Sequence, residues 1–397
     1  MRIGMLLPNH PYPPDIRVEK EAQALAQAGH EVLLLCRRDS GQSADEQVGP
    51  VRAIRHRVSP NSGLLRKMDS MIYLVTMDSP SWGSAMQSLI TEHGAEALHL
   101  HDLPYVPSAI RAARACNVPV VLDLHENYPA ALAQWGGHGL ENWLFSPARA
   151  ARLEKRSIRR VDRIVVVVDE AKERLIGLGA DSDKIVVFGN TESVDLVPAE
   201  PLSLNPDKGL QLIYVGGVAA HRGLDTAVDA MPLILQHDPR ATLTIVGDGA
   251  SLATLKEQAA RLGLQESVHF TGWLPKDKAM NAIEAANLAL VPHHRSPHTD
   301  ATIPHKLFQY MALGRPVLVS DCAPLARVVN DTGAGAVFHS GDAADLAAKA
   351  IALSNPTRSA AAALAGRKAV FERWNLEAEA PALSGLYTTL AAQRSRS

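Results

Sequence analysis

The sequence predicts an α/β protein built from two doubly wound, Rossmann-like parallel-sheet domains. Three observations point there. Short apolar runs of strand length alternate with helical patterns along almost the whole chain, as parallel sheets require. A polar, proline-rich stretch, Val197–Gly209 (VPAEPLSLNPDKG), separates two such series and reads as a linker. The length of 397 residues fits two domains of roughly 200 residues better than one. The domains are therefore drawn at 1–200 and 201–375.

Composition narrows the function classes. Forty basic residues against 42 acidic ones leave a net charge of −2, which argues against nucleic acid as the main partner. Cys36, Cys116 and Cys322 are scattered and form no CxxC pair, which points to a reduced, cytoplasmic compartment. The opening MRIGMLLPNH has too short an apolar core for a signal peptide. No apolar run approaches the roughly eighteen residues of a membrane span, so contact with a membrane is expected to be peripheral at most.

In the first half, Arg2–Leu7 reads as a buried strand and Pro8–Pro14 as a tight loop. Asp15 is the N-cap of a helix whose apolar face carries Ile16, Ala22 and Leu25 and which stops at Gly29. Glu31–Cys36 completes a βαβ unit. Its first turn has no glycine, where a dinucleotide site needs several, so the pattern argues against NAD. Further strands are expected at Val51–Val58, Ala97–His101, Val118–Asp123, Arg163–Val168 and Ile185–Phe188.

Ligands of doubly wound sheets gather outside the carboxyl ends of the strands. Polar clusters fall at those ends and nominate Tyr12, Asp15, Arg17, His101 and Glu126 as acceptor contacts. His125, beside Glu126, is either a group that touches the reacting substrate or a histidine that bonds a neighbouring carbonyl. Trp135, Trp143, Leu144 and Phe145 precede PARAARLEKRSIRRVDR, which holds seven Lys or Arg against two acidic residues. Residues 135–163 thus suit peripheral contact with an anionic membrane, or form an ordinary solvated face.

The second series begins with the strand Leu210–Val215, followed by GGVAAHRGLD. Gly216 and Gly217 allow close backbone approach, and Arg222 lies at a helix start suited to phosphate. Next come Ala241–Val246 with GDGA, Val268–Phe270 with TGWLP, and the stretch Asn287–Asp321. Leu288–Val291 and Val317–Ser320 read as buried strands flanking a helix at Pro304–Leu313, with Pro304 as its first residue. Backbone N–H groups at Thr302, Ile303, His305 and Lys306 would face an anion, Lys306 adds a charge, and Gln309 lies one turn later. A phosphate next to a diol would fit; an ordinary αβ connection with a solvated lysine is the other reading. Asp342–Leu353 and the stretches near Ala360–Trp374 and Leu376–Ala392 close the chain as helices.

The segment TIPHKLFQYMALGRPVLVSD resembles the donor-site helix of the group 1 (family four) retaining glycosyltransferases of the GT-B fold. LHLHDLP and VVLDLHENYP are similar to that family's HxHD and strand–His loops. GNTESVD resembles its PNGVD junction, GGVAAHRGLD its diphosphate turn, and TGWLP its base-contacting loop. The resemblance implies two domains facing a cleft, with residues 376–397 crossing back to the first. It implies a UDP- or GDP-sugar donor and a glycan or lipid-linked acceptor, in surface polysaccharide or glycolipid synthesis at the inner face of the membrane. Retention would proceed with the leaving diphosphate assisting. His125, Arg222 and Lys306 would be catalytic; Gly216, Gly217, Arg222, Trp273, Leu274, Thr302, Ile303, Lys306 and Gln309 would bind the donor.

The chain also departs from the family. Two glutamates eight apart are usual in the donor segment; Ala301 and Gln309 stand in their places. Gln309 can still pair with a ribose diol, whereas Ala301 cannot touch sugar hydroxyls, and Asp300 or Thr302 would have to substitute. Gly217 takes the usual arginine position of the diphosphate turn and Arg222 the lysine position, so either Lys306 supplies the second cation or the diphosphate is held less strongly than usual. No cofactor and no metal are expected. Asp181-Ser182-Asp183 reads as a capping turn, and His293, His294 and His298 have no ligand spacing. The alternative is a non-catalytic GT-B accessory protein that holds a nucleotide or glycan.

Overall fold

The computed structural model describes residues 1–8, 10–13, 15–57, 63–135, 146–197 and 209–394. Most of the expected linker, and Trp143, Leu144 and Phe145, lie outside the described residues. The chain divides into two compact units, Met1–Gly189 with Glu379–Ser397, and Asn190–Ala378. These limits differ from 200/201 and 375/376 for a local reason. The Asn190 amide donates to the carbonyl of Ile303, and Glu377 accepts from Ser193 and Val194, which ties the GNTESVD turn into the second unit. One residue earlier, the Gly189 N–H bonds Glu379 within the first.

The first unit holds β1 (Arg2–Leu7), β2 (Glu31–Arg37), β3 (Asp45–Val48), β4 (Val51–His56), β5 (Ala97–His101), β6 (Val120–Leu124), β7 (Arg163–Val166) and β8 (Ile185–Val187). Their order is β3-β4-β2-β1-β5-β6-β7-β8. All neighbours run parallel except β3, which pairs antiparallel with β4. This edge strand was not expected; its sequence, DEQV, is charged and largely exposed, as edges that resist pairing with other chains are. The helix Ile16–Gln27 is capped by Asp15, whose carboxylate accepts from Val18 N–H at 3.0 Å. Ala22 and Leu25 of its expected apolar face are buried, and Ile16 is not. Ile16 is 52% exposed, while Arg17 and Glu21 point inward beside Val18, Ala22 and Leu25.

The second unit holds β9 (Gln211–Val215), β10 (Thr242–Val246), β11 (Val268–Gly272), β12 (Leu288–Val291), β13 (Val317–Ser320) and β14 (Gly335–Phe338), all parallel, in the order β11-β10-β9-β12-β13-β14. Leu212, Tyr214, Ile245, Leu290 and Leu318 pack with Val228, Met231 and Ile234 of the helix Leu224–His237. The unexpected β14 needs its first residue to be glycine, because a Cβ there would lie 1.7 Å from the Val317 carbonyl oxygen. Strand order reverses between β9 and β12, so the loops after these two strands border the crevice where such sheets bind ligands.

The helix Leu376–Arg394 buries Leu383, Leu386, Tyr387 and Leu390, and the Tyr387 hydroxyl lies 2.5 Å from His99 Nδ1 inside the first unit. Tyr387→Phe keeps the shape and strands one buried nitrogen. Urea unfolding should report a loss of about 1–3 kcal/mol; an unchanged midpoint would mean this bond holds nothing in place.

Candidate active site

In the second unit the site starts at the carboxyl end of β9. Gly216, at φ +138, and Gly217 turn the chain away from the sheet. Gly247 and Gly249, in the GDG turn after β10, lie directly against this turn. A Cβ on Gly247 would sit 1.9 Å from the Gly216 oxygen, and one on Gly249 2.2 Å from the Val218 oxygen. The GDG sequence therefore serves backbone-to-backbone approach, and the turns are joined by Gly216 N–H to Val246 and Val218 N–H to Asp248.

Tyr214 organises what lies above. Its hydroxyl donates to the Gly217 carbonyl at 2.7 Å, and its ring carries the Lys306 ammonium 3.6 Å from the centroid. Only glycine at 216 permits this, since a Cβ would come within 2.6 Å of Lys306 Nζ. Lys306 belongs to the helix His305–Ala312. Pro304 caps it with an extended ψ of 144° instead of forming its first residue, and no side chain caps its start.

Arg222 ends a short 3-10 turn and is aimed by Gly223, which at φ +66 passes so close to the loop after β12 that a Cβ would meet the Pro292 oxygen at 1.8 Å. The arginine lies 3.1 Å from His293 Nε2. A guanidinium can only donate, so this nitrogen is an unprotonated acceptor. Burial, then Arg222 and Lys306, hold the His293 pKa well below its usual value. Burial and Arg222 likewise push His221 and His298 down to about 4. Burial and Arg222 also lower the Lys306 pKa well below the ordinary lysine range. Among the described residues neither Arg222 nor Lys306 has a carboxylate partner within ion-pair distance. The pocket is basic and uncompensated.

Other nominated donor residues are placed differently. The Gln309 amide is not left for a ligand; it donates to Glu192 at 2.7 Å, through a contact 117 residues apart that sequence reading missed. Ala301 is buried, and Asp300 bonds Arg295 and the Ala323 N–H, which removes it as a substitute at the sugar position. Ile303 is pinned by Asn190, and Thr302 lies beside it in extended backbone. Trp273 stands 63% exposed after β11, with Leu274 next to it.

In the first unit, the acceptor candidates are largely interior. Arg17 makes a bidentate pair with Asp123 at 2.7 and 2.8 Å and also approaches Glu21 at 2.9 Å, so it binds protein and not ligand. Tyr12 is buried with its carbonyl accepting from Arg55, and Asp15 is committed to its helix cap. His101 is buried, its Nδ1 3.2 Å from Asp123 and 3.1 Å from His125. Glu126 is half-buried beside half-buried His125. His125 Nε2 lies 2.7 Å from Asp123, and its Nδ1 3.4 Å from Asp102. Burial alone would depress the His125 pKa, yet these two carboxylates push it up to about 9. His99, sharing Glu21 and Asp123, is also pushed up to about 9 against its burial. The i, i+2 spacing of His99 and His101 on β5 was the available signal that both face one side.

Among the described residues, Glu21, His99, His101 and Asp123 bring ligand-type atoms within 4.8 Å of one another. Arg17 lies against both carboxylates of this group, 2.9 Å from Glu21 and 2.7 Å from Asp123. Asp181 accepts from Asp183 N–H in a capping turn. His294 pairs with Asp225 at 2.8 Å.

Two family models cover most of this chain: "Glycosyl transferase 4-like domain" matches residues 14–191 and "Glycosyl transferases group 1" matches residues 201–368. This chain belongs to the group 1 glycosyltransferases of the GT-B fold. It is 26% identical to a glycogen synthase from Mycobacterium tuberculosis over 99% of this chain and 95% of that protein. It is also 26% identical to a phosphatidyl-myo-inositol mannosyltransferase of Mycobacterium leprae, over 100% and 99% of the two chains. Among solved structures, sucrose-phosphate synthase from Thermosynechococcus elongatus superposes with a TM-score of 0.80 at 20% identity, covering 99% and 100%. Anabaena HepE in complex with UDP and glucose superposes at 0.71 with 15% identity over both chains entire. The glycosyltransferase family supplies the general activity, and among the described residues no helix is long and apolar enough to cross a membrane.

The ionic cluster of this glycosyltransferase has a pH signature. His99 and His125 have folded-state pKa values of about 9 against about 6.5 unfolded. The native state therefore holds extra protons between these values, and the stability they confer is complete below pH ~6.5 and lost as pH rises through ~9. Denaturant unfolding of the intact chain should weaken across this window, and His125→Gln should make the slope shallower. A flat profile would show that these imidazoles are neutral.

Proposed function

We propose that this glycosyltransferase uses a nucleotide-sugar donor, UDP- or GDP-linked, and holds its diphosphate without a metal. The observation that carries this reading is the pairing of Arg222 and Lys306, two cations without a carboxylate partner among the described residues, above the Gly216-Gly217 turn. Transfer expels a diphosphate, and the charge growing on its leaving oxygen needs fixed positive groups. Arg222 donates in a forked geometry, Lys306 adds a point charge, and the start of the His305–Ala312 helix contributes its dipole. HepE, whose solved complex contains UDP and glucose, makes a uridine nucleotide the first ligand to test.

His125 is the catalytic group of the first unit, its ring protonated between Asp123 and Asp102, which hold that ring and its charge. Configuration is retained, with the leaving diphosphate assisting attack by the acceptor, so no protein nucleophile is needed. The acceptor is a glycan or lipid-linked saccharide at the inner face of a membrane, a reading supported by the exposed basic residues of the helix Pro147–Ser157. Buried Ala301 and committed Asp300 favour the second reading, a binding protein without transfer.

Calorimetry with UDP, GDP and their sugars, in EDTA, tests the donor reading. One nucleotide should bind, and Lys306→Ala or Arg222→Ala should each weaken it about 10- to 100-fold, the worth of a charge-assisted hydrogen bond. Because Lys306 is held toward its neutral form, the diphosphate should draw a proton onto it, seen as an enthalpy that varies with the ionisation heat of the buffer. Absence of any nucleotide binding would remove the transferase reading; tight binding without turnover of any sugar donor would leave the accessory protein.

A further inference from the structure

The helix Gly63–Thr76 is inside out. Leu64, Met68, Met71, Ile72 and Val75 recur at helical spacing along one side and are between 39% and 69% exposed. None of the residues of this helix is buried. Its opposite side is the one that holds it. The Asp69 carboxylate accepts from Ser79 Oγ at 2.7 Å and from Ser81 N–H at 2.8 Å, and the Tyr73 ring stacks on Tyr105 with centroids 4.5 Å apart. A surface helix ordinarily buries its apolar stripe and shows its polar side, and each apolar Å² left in water forgoes about 25 cal/mol. Here the polar side anchors and the apolar side faces out.

What lies next to this stripe says what covers it. The carbonyls of Leu74 and Val75, at the end of the helix, accept from Arg149 at 2.8 and 2.7 Å. Arg149 belongs to the helix Pro147–Ser157, which exposes Arg152, Lys155 and Arg156, with Arg159 and Arg160 following. The acid of that helix, Glu154, is buried and neutralised by Arg174 at 2.7 Å. Arg66 and Lys67 add exposed cations on the apolar helix itself. The surface is therefore apolar and cationic together. A second copy of the chain would bring like charges face to face, whereas an anionic bilayer meets both features, taking the stripe below its headgroups and the cations at them.

We propose that helix 63–76, flanked by the exposed basic residues of 147–160, docks this protein on an anionic lipid surface. The inference deepens the membrane-face reading of the acceptor and rests on it. The test is sedimentation of the full chain with phosphatidylcholine vesicles, with and without phosphatidylglycerol. Binding should require phosphatidylglycerol, weaken in high salt, and fall about tenfold or more on Met68→Glu with Met71→Glu, since charging the stripe removes its burial. Nucleotide affinity should be unchanged in that variant. In the unmodified chain, amide exchange across residues 63–76 should slow on vesicles, a readout that needs no variant. Vesicle binding that survives the double substitution but is lost on Arg152→Glu with Lys155→Glu and Arg156→Glu would overturn the helix while leaving the membrane-face reading standing. No binding to either vesicle, or self-association through this face, would overturn both.

Discussion

The Lys306 ammonium lies 3.6 Å from the centre of the Tyr214 ring, and the second unit's site depends on that contact. Gly216 leaves the space it needs, the Tyr214 hydroxyl holds the turn beneath it, and Asn190 steadies the Ile303 carbonyl just ahead of its helix. A cation over an aromatic face gains about 0.5–2 kcal/mol. That is little against half-burial beside Arg222, with no carboxylate at ion-pair distance among the described residues. The fold thus sets Lys306 against the repulsion of Arg222, which with burial holds the lysine toward its neutral form, and three histidines are kept neutral around them. An anion relieves that repulsion, which is why we read the arrangement as a binding site and not as a structural ion network.

The first unit solves the opposite problem. Arg17, His99 and His125 face Glu21, Asp102 and Asp123, and the charges match. The cluster joins the helix Ile16–Gln27 to β5 and β6, and through Tyr387 to the terminal helix. Arg17, Glu21, His99 and Asp123 are buried, so most of the cluster is oriented by partners that do not touch solvent. Half-buried His125 is the point at which this interior network reaches outward. A ring held by two carboxylates is a poor base, because its proton is stabilised where it is.

Much of the fold was legible because its strands are short apolar runs between Gly and Pro. Ala97–His101, Leu288–Val291 and Val317–Ser320 have the limits their sequences suggest. The edge strand β3 was not, since DEQV is solvated on both sides and shows no alternation, and β14 was not, since Gly335-Ala336 gives no apolar signal. Arg222 and Lys306 were legible from the grammar of glycines and helix starts. Arg17 misled, because its partner Asp123 is 106 residues away and a sequence gives no sign of that distance. Gln309 and Glu192 illustrate the same limit. Helix 63–76 has an amphipathic pattern, but periodicity says only that two faces differ, not which one turns inward.

The uncompensated charge of the pocket has a kinetic meaning too. The chain as a whole carries a net −2, so at long range a nucleotide diphosphate is met by a nearly neutral body. Attraction becomes appreciable only within about a Debye length of Arg222 and Lys306, some 8 Å at physiological ionic strength. Capture is then governed by what happens after the diphosphate reaches the mouth of the turn. Once there, a diphosphate between half-buried Arg222 and Lys306 is screened little by salt, and its residence is set by those contacts.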